Sequence, residues 1–188
     1  MIEDPNARVY SVPQRMLHWL TVLLILITVP VAFTMGGTFG KVSDAVAGFL
    51  YDSHKLIGVI IFFVVVARLI FRMTRGAPPQ EPTVPPLQAL AAELTHWTIY
   101  ALLIMIPLGG YIALQYYGEI KLFGWLPLPS FVAPNKPLSE QIFAIHKLAG
   151  FVLIALVVLH FSAAMFHRFI LRDNVLGRMW PSQKNPDA

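Results

Sequence analysis

Met16 to Met35 is a run of twenty residues without one charged side chain. An apolar run of about 18 or more residues is long enough to cross a bilayer as a helix. Inside lipid the backbone must satisfy its own hydrogen bonds, so such runs are confined to helices or closed barrels. Two further runs meet the length, Leu94 to Gly118 and Leu148 to His167. A fourth, Ser53 to Phe71, is unbroken from Leu56 to Ala67 and carries Arg68 within a turn of its end. An arginine so placed can snorkel to the interface. The expectation is an all-α integral membrane four-helix bundle, up-down-up-down, forming a single membrane domain over 1–188. The spans are placed at about 14–36, 53–73, 92–116 and 143–170. The first run is too long for the apolar part of a secretory signal and lacks a small-residue cleavage site, so no such signal is expected.

Charged residues are 13% of the chain, against about a quarter in soluble domains. The net charge of +4 does not read as a nucleic-acid footprint, which needs basic residues clustered on one soluble face. Here they bracket the apolar runs. Arg8, Arg15, Arg68, Arg72, Arg75, Arg168, Arg172, Arg178 and Lys184 fall on one side, nine in all, and Lys41, Lys55, Lys121, Lys136 and Lys147 on the other. The positive-inside rule makes the nine-residue side cytoplasmic, with both termini there. Cysteine is absent, which excludes disulfides, thiolate-held clusters and C-x-x-C-H haem attachment.

The connector from Gly76 to Pro86 holds five prolines and is expected to be extended. The longest outer loop covers 117–142. Its segment 123–129, Phe-Gly-Trp-Leu-Pro-Leu-Pro, is apolar but too short and proline-broken to span. It suits an interfacial lid, or equally a connector with interfacial anchors. A weak internal repeat pairs His18-Trp19 with His96-Trp97, and His54-Lys55-Leu56-Ile57-Gly58 with His146-Lys147-Leu148-Ala149-Gly150.

All six histidines, His18, His54, His96, His146, His160 and His167, lie in or at the ends of the spans. An ionisable group there is a functional candidate, although any single imidazole also serves simply to bond a neighbouring helix. His160 follows His146 by 14 residues. That is about 21 Å of helix rise, with a rotation that keeps both on one face. His54 lies at the outer level of His146, and His18 at the inner level of His160. Two stacked imidazole pairs in an apolar bundle suit two haem b groups, which need axial nitrogen donors between facing helices. Zinc would ask for four converging ligands. Gly58 and Gly150 lie one turn beyond their histidines and are candidates for letting a flat macrocycle approach the backbone, or for helix packing. At the inner level His96 can also stand in for His18 or His160. His167 is about two turns nearer the cytoplasm and better placed for a proton or quinone role.

These residues together resemble the bacterial cytochrome b-561 family of di-haem inner-membrane cytochromes, from Tyr10 to Pro181. The resemblance is carried by His18-Trp19-Leu20, by His54 with Val66-Ala67-Arg68-Leu69-Ile70-Phe71-Arg72, by His146 with His160, and by Arg172-Asp173-Asn174-Val175-Leu176-Gly177-Arg178-Met179. It implies a multi-pass protein of the inner membrane and ligation of two haem irons by His18 with His160 and His54 with His146. It also implies electron exchange with ubiquinone on the cytoplasmic side and, as in some relatives, oxidation of superoxide outside. Relatives often carry two adjacent histidines where this chain has His167-Arg168, so a quinone role rests on His167. Lys55 and Lys147 each follow an outer ligand directly and are candidates for a positive mouth that attracts an anion; lysines at span ends also serve as interface anchors. Arg15, Arg68 and Arg72 are candidates for gripping haem propionates, or reflect topology alone.

The expected function is electron transfer from an outer one-electron donor, superoxide, through two haem b groups to ubiquinone. One alternative is a cytochrome subunit that oxidises quinol and delivers electrons to a periplasmic protein. A second is a haem-free, histidine-lined proton transporter.

Overall fold

The computed structural model describes residues 9–82, 84–118 and 121–180; Arg8, Pro181 and Lys184 of the sequence reading lie outside them. Four long helices make up most of the chain: α1 Val12–Met35, α2 Asp44–Arg75, α3 Pro86–Tyr117 and α4 Lys136–Phe166. Each is long and apolar enough to cross a membrane. A short antiparallel hairpin, β1 Lys121–Leu122 and β2 Leu126–Pro127, lies between α3 and α4.

The helices run past the apolar stretches because their polar ends are capped. The Ser43 side chain accepts from the Val46 N–H to open α2, and the Asn135 side chain accepts from the Leu138 N–H to open α4. Both serve amides that no helical carbonyl reaches. Pro86 sits in the first turn of α3, where its missing N–H costs nothing. The proline-rich stretch ahead of it is non-helical.

Neighbouring helices are antiparallel, as cross-helix contacts show. Gln14 at the start of α1 donates to the Gly76 carbonyl just beyond α2 at 2.9 Å, while Thr28 near the other end of α1 meets His54 near the start of α2. Ser139 Oγ at the start of α4 donates to the Ala113 carbonyl near the end of α3 at 2.8 Å. The bundle therefore has a terminal end, with both described chain ends, and a hairpin end. Arg15, Arg68, Arg72, Arg75, Arg168, Arg172 and Arg178 gather at the terminal end, and the five lysines among the described residues at the hairpin end.

The buried apolar cluster is small: Ile61 and Val65 of α2, Leu103 of α3 and Leu153 of α4. It lies midway along the helices. Most other large apolar side chains, such as Leu148, Phe151, Leu159 and Phe161, face outward. Such an apolar exterior belongs in lipid rather than water.

Beyond α4 the backbone widens into a π turn at His167–Leu171. The chain then turns at Arg172, with φ 55°, and folds back as a 3-10 turn at Gly177–Met179. This segment is pinned to α1. The Tyr10 N–H donates to the Arg178 carbonyl, Arg15 Nη1 to the Trp180 carbonyl at 3.0 Å, and Trp19 Nε1 to the Met179 carbonyl at 2.7 Å. Arg178 Nη2 reaches the Pro79 carbonyl in the α2–α3 connector.

Candidate functional site

The histidines sort onto two levels on either side of the Ile61–Leu153 cluster. At the hairpin end, His54 of α2 faces His146 of α4, with ring centres 6.1 Å apart and planes crossed at 79°. At the terminal end, His18 of α1 faces His160 of α4 at 6.4 Å and 72°. His96 of α3 also lies against His160, at 5.1 Å. All five rings are half-buried. α4 supplies one imidazole to each level, as the 14-residue spacing requires.

The rings at the hairpin end are oriented by their second nitrogens. His146 Nδ1 lies 2.9 Å from the Ile106 carbonyl of α3, and His54 Nδ1 lies 3.1 Å from Thr28 Oγ1 of α1. A carbonyl only accepts, so His146 carries its proton on Nδ1 and keeps a lone pair on Nε2. This arrangement is typical of metal-binding imidazoles. Gly110 makes the His146 bond accessible: a Cβ there would meet the ring at 3.0 Å. Gly110 stands one turn beyond Ile106, where a side chain would crowd the carbonyl.

At the terminal end the polar surroundings are cationic. Arg68 Nη2 donates to His18 Nδ1 at 3.0 Å, and its guanidinium stacks over Tyr100 at 5.3 Å. Arg72 Nη1 donates to the Tyr10 hydroxyl at 3.1 Å. Trp19 lies edge-on to His18, with centres 5.6 Å apart. Among the described residues no carboxylate pairs with Arg68, and a part-buried cation of this kind favours an anionic group nearby.

The imidazole pairs fit haem, the His18–His160 pair once Arg68 yields His18 Nδ1. A ring that accepts at Nδ1 carries its proton on Nε2 and has no lone pair there for iron. An imidazole–metal bond is about 2 Å, and each ring centre lies about 1 Å beyond its nitrogen. Two rings on opposite sides of one iron thus stand roughly 6 Å apart. The His54–His146 and His18–His160 separations meet this, and His96–His160 falls short. Cβ atoms added at Gly58 and Gly150 would meet nothing within 4 Å. Neither glycine is there to admit a neighbouring helix, and both leave flat, open backbone beside the hairpin-end pair. Among the described residues no three His, Asp or Glu side chains converge as a metal site.

The other sequence candidates are spread around these levels. Lys55 Nζ pairs with Asp52 Oδ1 at 3.0 Å. Lys147 is exposed on α4. Arg15 is buried and directed to the C-terminal turn. His167 opens the π turn, where α-helical spacing no longer applies, and its Nδ1 lies 2.5 Å from Asp173 Oδ2. Asp173 Oδ1 accepts from the Val175 N–H at 3.1 Å, which holds the carboxylate against the ring. Sequence reasoning missed Thr28, Gly110, Asp52 and Tyr100, and quoted Asp173 only within the C-terminal motif. Thr28 had a weak signal, as one of three hydroxyls, with Thr21 and Thr34, in the first apolar run. Gly110 did not, since adjacent Gly109 and Gly110 look alike in sequence.

Residues 9–182 match the prokaryotic cytochrome b561 family. Among the relatives, cytochrome b561 homolog 1 of Escherichia coli K12 is 31% identical over 93% of this chain and 98% of its own length. A probable superoxide oxidase, CybB, of Yersinia pestis is 28% identical over 93% and 97%. Cytochrome b562 of Cereibacter sphaeroides is 26% identical over 95% and 98%. With four membrane-length helices and paired imidazoles already in place, this near-complete match shows that the chain belongs to the prokaryotic cytochrome b561 family of haem b electron-transfer proteins, multi-pass in the bacterial inner membrane.

Proposed function

We propose that the chain is a di-haem superoxide:ubiquinone oxidoreductase. The observation that carries this reading is the two stacked imidazole pairs, with ring centres 6.4 and 6.1 Å apart, one at either end of the bundle. His54 with His146 and His18 with His160 would hold the two groups. When bound, haem b supplies a one-electron store at each level. The hairpin end faces the periplasm and the terminal end, with its seven arginines, the cytoplasm, so that 1–188 forms one membrane domain.

The overall reaction balances as two superoxide ions, one quinone and two protons giving two dioxygen molecules and one quinol. At the hairpin end Lys147 raises the local concentration of the anion, while the charge of Lys55 is met by Asp52. The hairpin closes that end to larger donors. It is fastened to α2 through Asp52, two residues before His54, and to α3 through Tyr111, beside Gly110 and His146. This favours a small donor over a periplasmic protein, and the Yersinia pestis relative's name agrees. At the terminal end Arg68 and the outlying Arg72 and Arg15 are the candidate partners for propionates. Asp173 holds His167 by Nδ1, which leaves Nε2 to deliver a proton to a quinone oxygen.

The deciding experiment is an absorption spectrum of detergent-purified protein with haem counted per chain, followed by mixing with superoxide. Two haems reduced by superoxide and reoxidised by a ubiquinone analogue are expected. A haem-free chain would support a proton transporter. Two haems reduced by quinol and silent to superoxide would support delivery to a protein partner.

A further inference from the structure

Asp52 has a position that neither ligation nor anion attraction uses. Its two carboxylate oxygens are divided between two partners. Oδ1 accepts from Lys55 Nζ at 3.0 Å within α2, and Oδ2 accepts from the backbone N–H of Phe123 at 2.8 Å, 71 residues away. Phe123 stands at the hairpin's tip with φ 53°, followed by Gly124 at φ 75°. A left-handed backbone at a phenylalanine is unfavourable and persists only where the surroundings hold it. Here they hold it twice. The N–H is taken by Asp52, and the ring lies 6.1 Å from that of Phe49 on the same helix. Leu122 beside it is buried.

The far side of the loop is fastened separately. The Pro129 carbonyl accepts from the Tyr111 hydroxyl and Gln115 Nε2, and the Phe131 N–H donates to Gln115 Oε1. Residues 121–131 are thus a strap across the hairpin end, with one fastening next to each histidine of that level. The α3 fastening uses neutral groups. The α2 fastening uses a single carboxylate that also neutralises one of the two lysines flanking the pair.

We infer that Asp52 is a specificity-determining latch: it closes the strap over the His54–His146 pair and at the same time cancels the charge of Lys55. Asp52 therefore couples access to charge on the α2 side of this end. With the strap latched, Lys147 is the uncompensated one of the two lysines that flank the histidine pair, and the mouth admits small reactants. With Asp52 lost, the strap loosens and the Lys55 charge is exposed together.

Two substitutions separate the roles. Asp52→Asn keeps an oxygen for the Phe123 N–H but no negative charge for Lys55. Asp52→Ala removes both. The first measurement is amide hydrogen exchange over 121–131 in nanodiscs. Loss of a hydrogen bond to a charged acceptor predicts roughly tenfold or faster exchange at the Phe123 amide in Asp52→Ala, and near wild-type exchange in Asp52→Asn.

The second measurement is oxidation of the dithionite-reduced protein by two reagents, ferricyanide and a ferrocenium group carried on dextran. It rests on the haem reading above. Asp52→Ala should speed the dextran-borne oxidant about tenfold or more. Asp52→Asn should leave that oxidant unchanged and speed ferricyanide with a steeper dependence on salt. Lys55→Met should abolish the extra salt dependence. Unchanged exchange in Asp52→Ala would overturn the latch, as would a loosened strap that admits the dextran reagent no faster. A chain without haem would overturn the functional reading instead, and the exchange measurement would still decide the latch.

Discussion

Gly109 and Gly110 are adjacent on α3, yet alanine should act oppositely at the two positions. At Gly109 an added Cβ meets nothing within 4 Å. The substitution should gain the helix preference of alanine over glycine, about 0.8–1 kcal/mol. At Gly110 the Cβ meets His146 Cε1 at 3.0 Å and Nδ1 at 3.1 Å, where ordinary contact begins at 3.4 Å. The ring must retreat by about 0.4 Å, which stretches its 2.9 Å bond to the Ile106 carbonyl toward the edge of hydrogen-bond range. That forfeits part of a bond worth about 1 kcal/mol, and the helix gain offsets it. Thermal stability of Gly110→Ala should therefore stay within about 1 kcal/mol of wild type. Metal-site affinity is more sensitive, since disturbing the group that orients a ligating imidazole costs about 10–100-fold. The assay is haem titration into purified protein, read in the reduced spectrum, with a melt in the same detergent. Gly110→Ala should weaken haem at the His54–His146 level at least tenfold and spare the other level, while Gly109→Ala should melt higher with both haems retained. If Gly110→Ala binds both haems as wild type does, the role given to the Gly110–His146 contact is wrong.

Four further outcomes are expected. Thr28→Val removes the partner of His54 Nδ1 and should lower haem affinity at the hairpin end about tenfold, seen in the same titration. His160→Ala should remove the terminal-end haem alone, leaving one haem per chain by pyridine haemochrome assay; loss of both would mean that the levels are not independent. Asp173→Asn should slow quinone reduction about 100-fold with little change in the rate at which superoxide reduces the haems, measured by stopped flow; equal loss in both would refute a proton-delivery role for the His167–Asp173 pair. Trp19→Phe gives up one hydrogen bond to the C-terminal turn and should lower stability by about 1 kcal/mol, read as a shift in the melt.

The membrane helices were legible because lipid makes one demand on composition, and Met16 to Met35 meets it without exception. The two histidine levels were legible for a related reason. His146 and His160 share one helix, so rise and rotation alone place them. What surrounds them was not legible. Thr28, Gly110 and Asp52 act on residues 26, 36 and 71 positions away, and only the packing of antiparallel helices brings them there. The helix ends past the apolar runs were hidden because Ser43 and Asn135 act as caps, which hydropathy does not register. His167 was placed by α-helical bookkeeping, and the π turn that begins there alters the direction of every later side chain. Gly58 and Gly150 were readable as small positions, but only the structure separates open backbone from helix packing.

The pinning of the C-terminal turn to α1 has a consequence for how the molecule is made. The Trp19 indole finds its acceptor 160 positions later in the chain. At cellular elongation rates that interval is roughly 8–32 s. Everything the hairpin-end pair needs has been synthesised once His146 has followed Thr28, His54 and Gly110. The other pair must wait for His160, and the cover over His18 for Met179 and Trp180. Biogenesis should therefore proceed from one membrane face to the other, with the first helix to be inserted the last to be finished. A nascent chain held so that His146 but not His160 has left the ribosome would be able to complete one histidine pair and not the other.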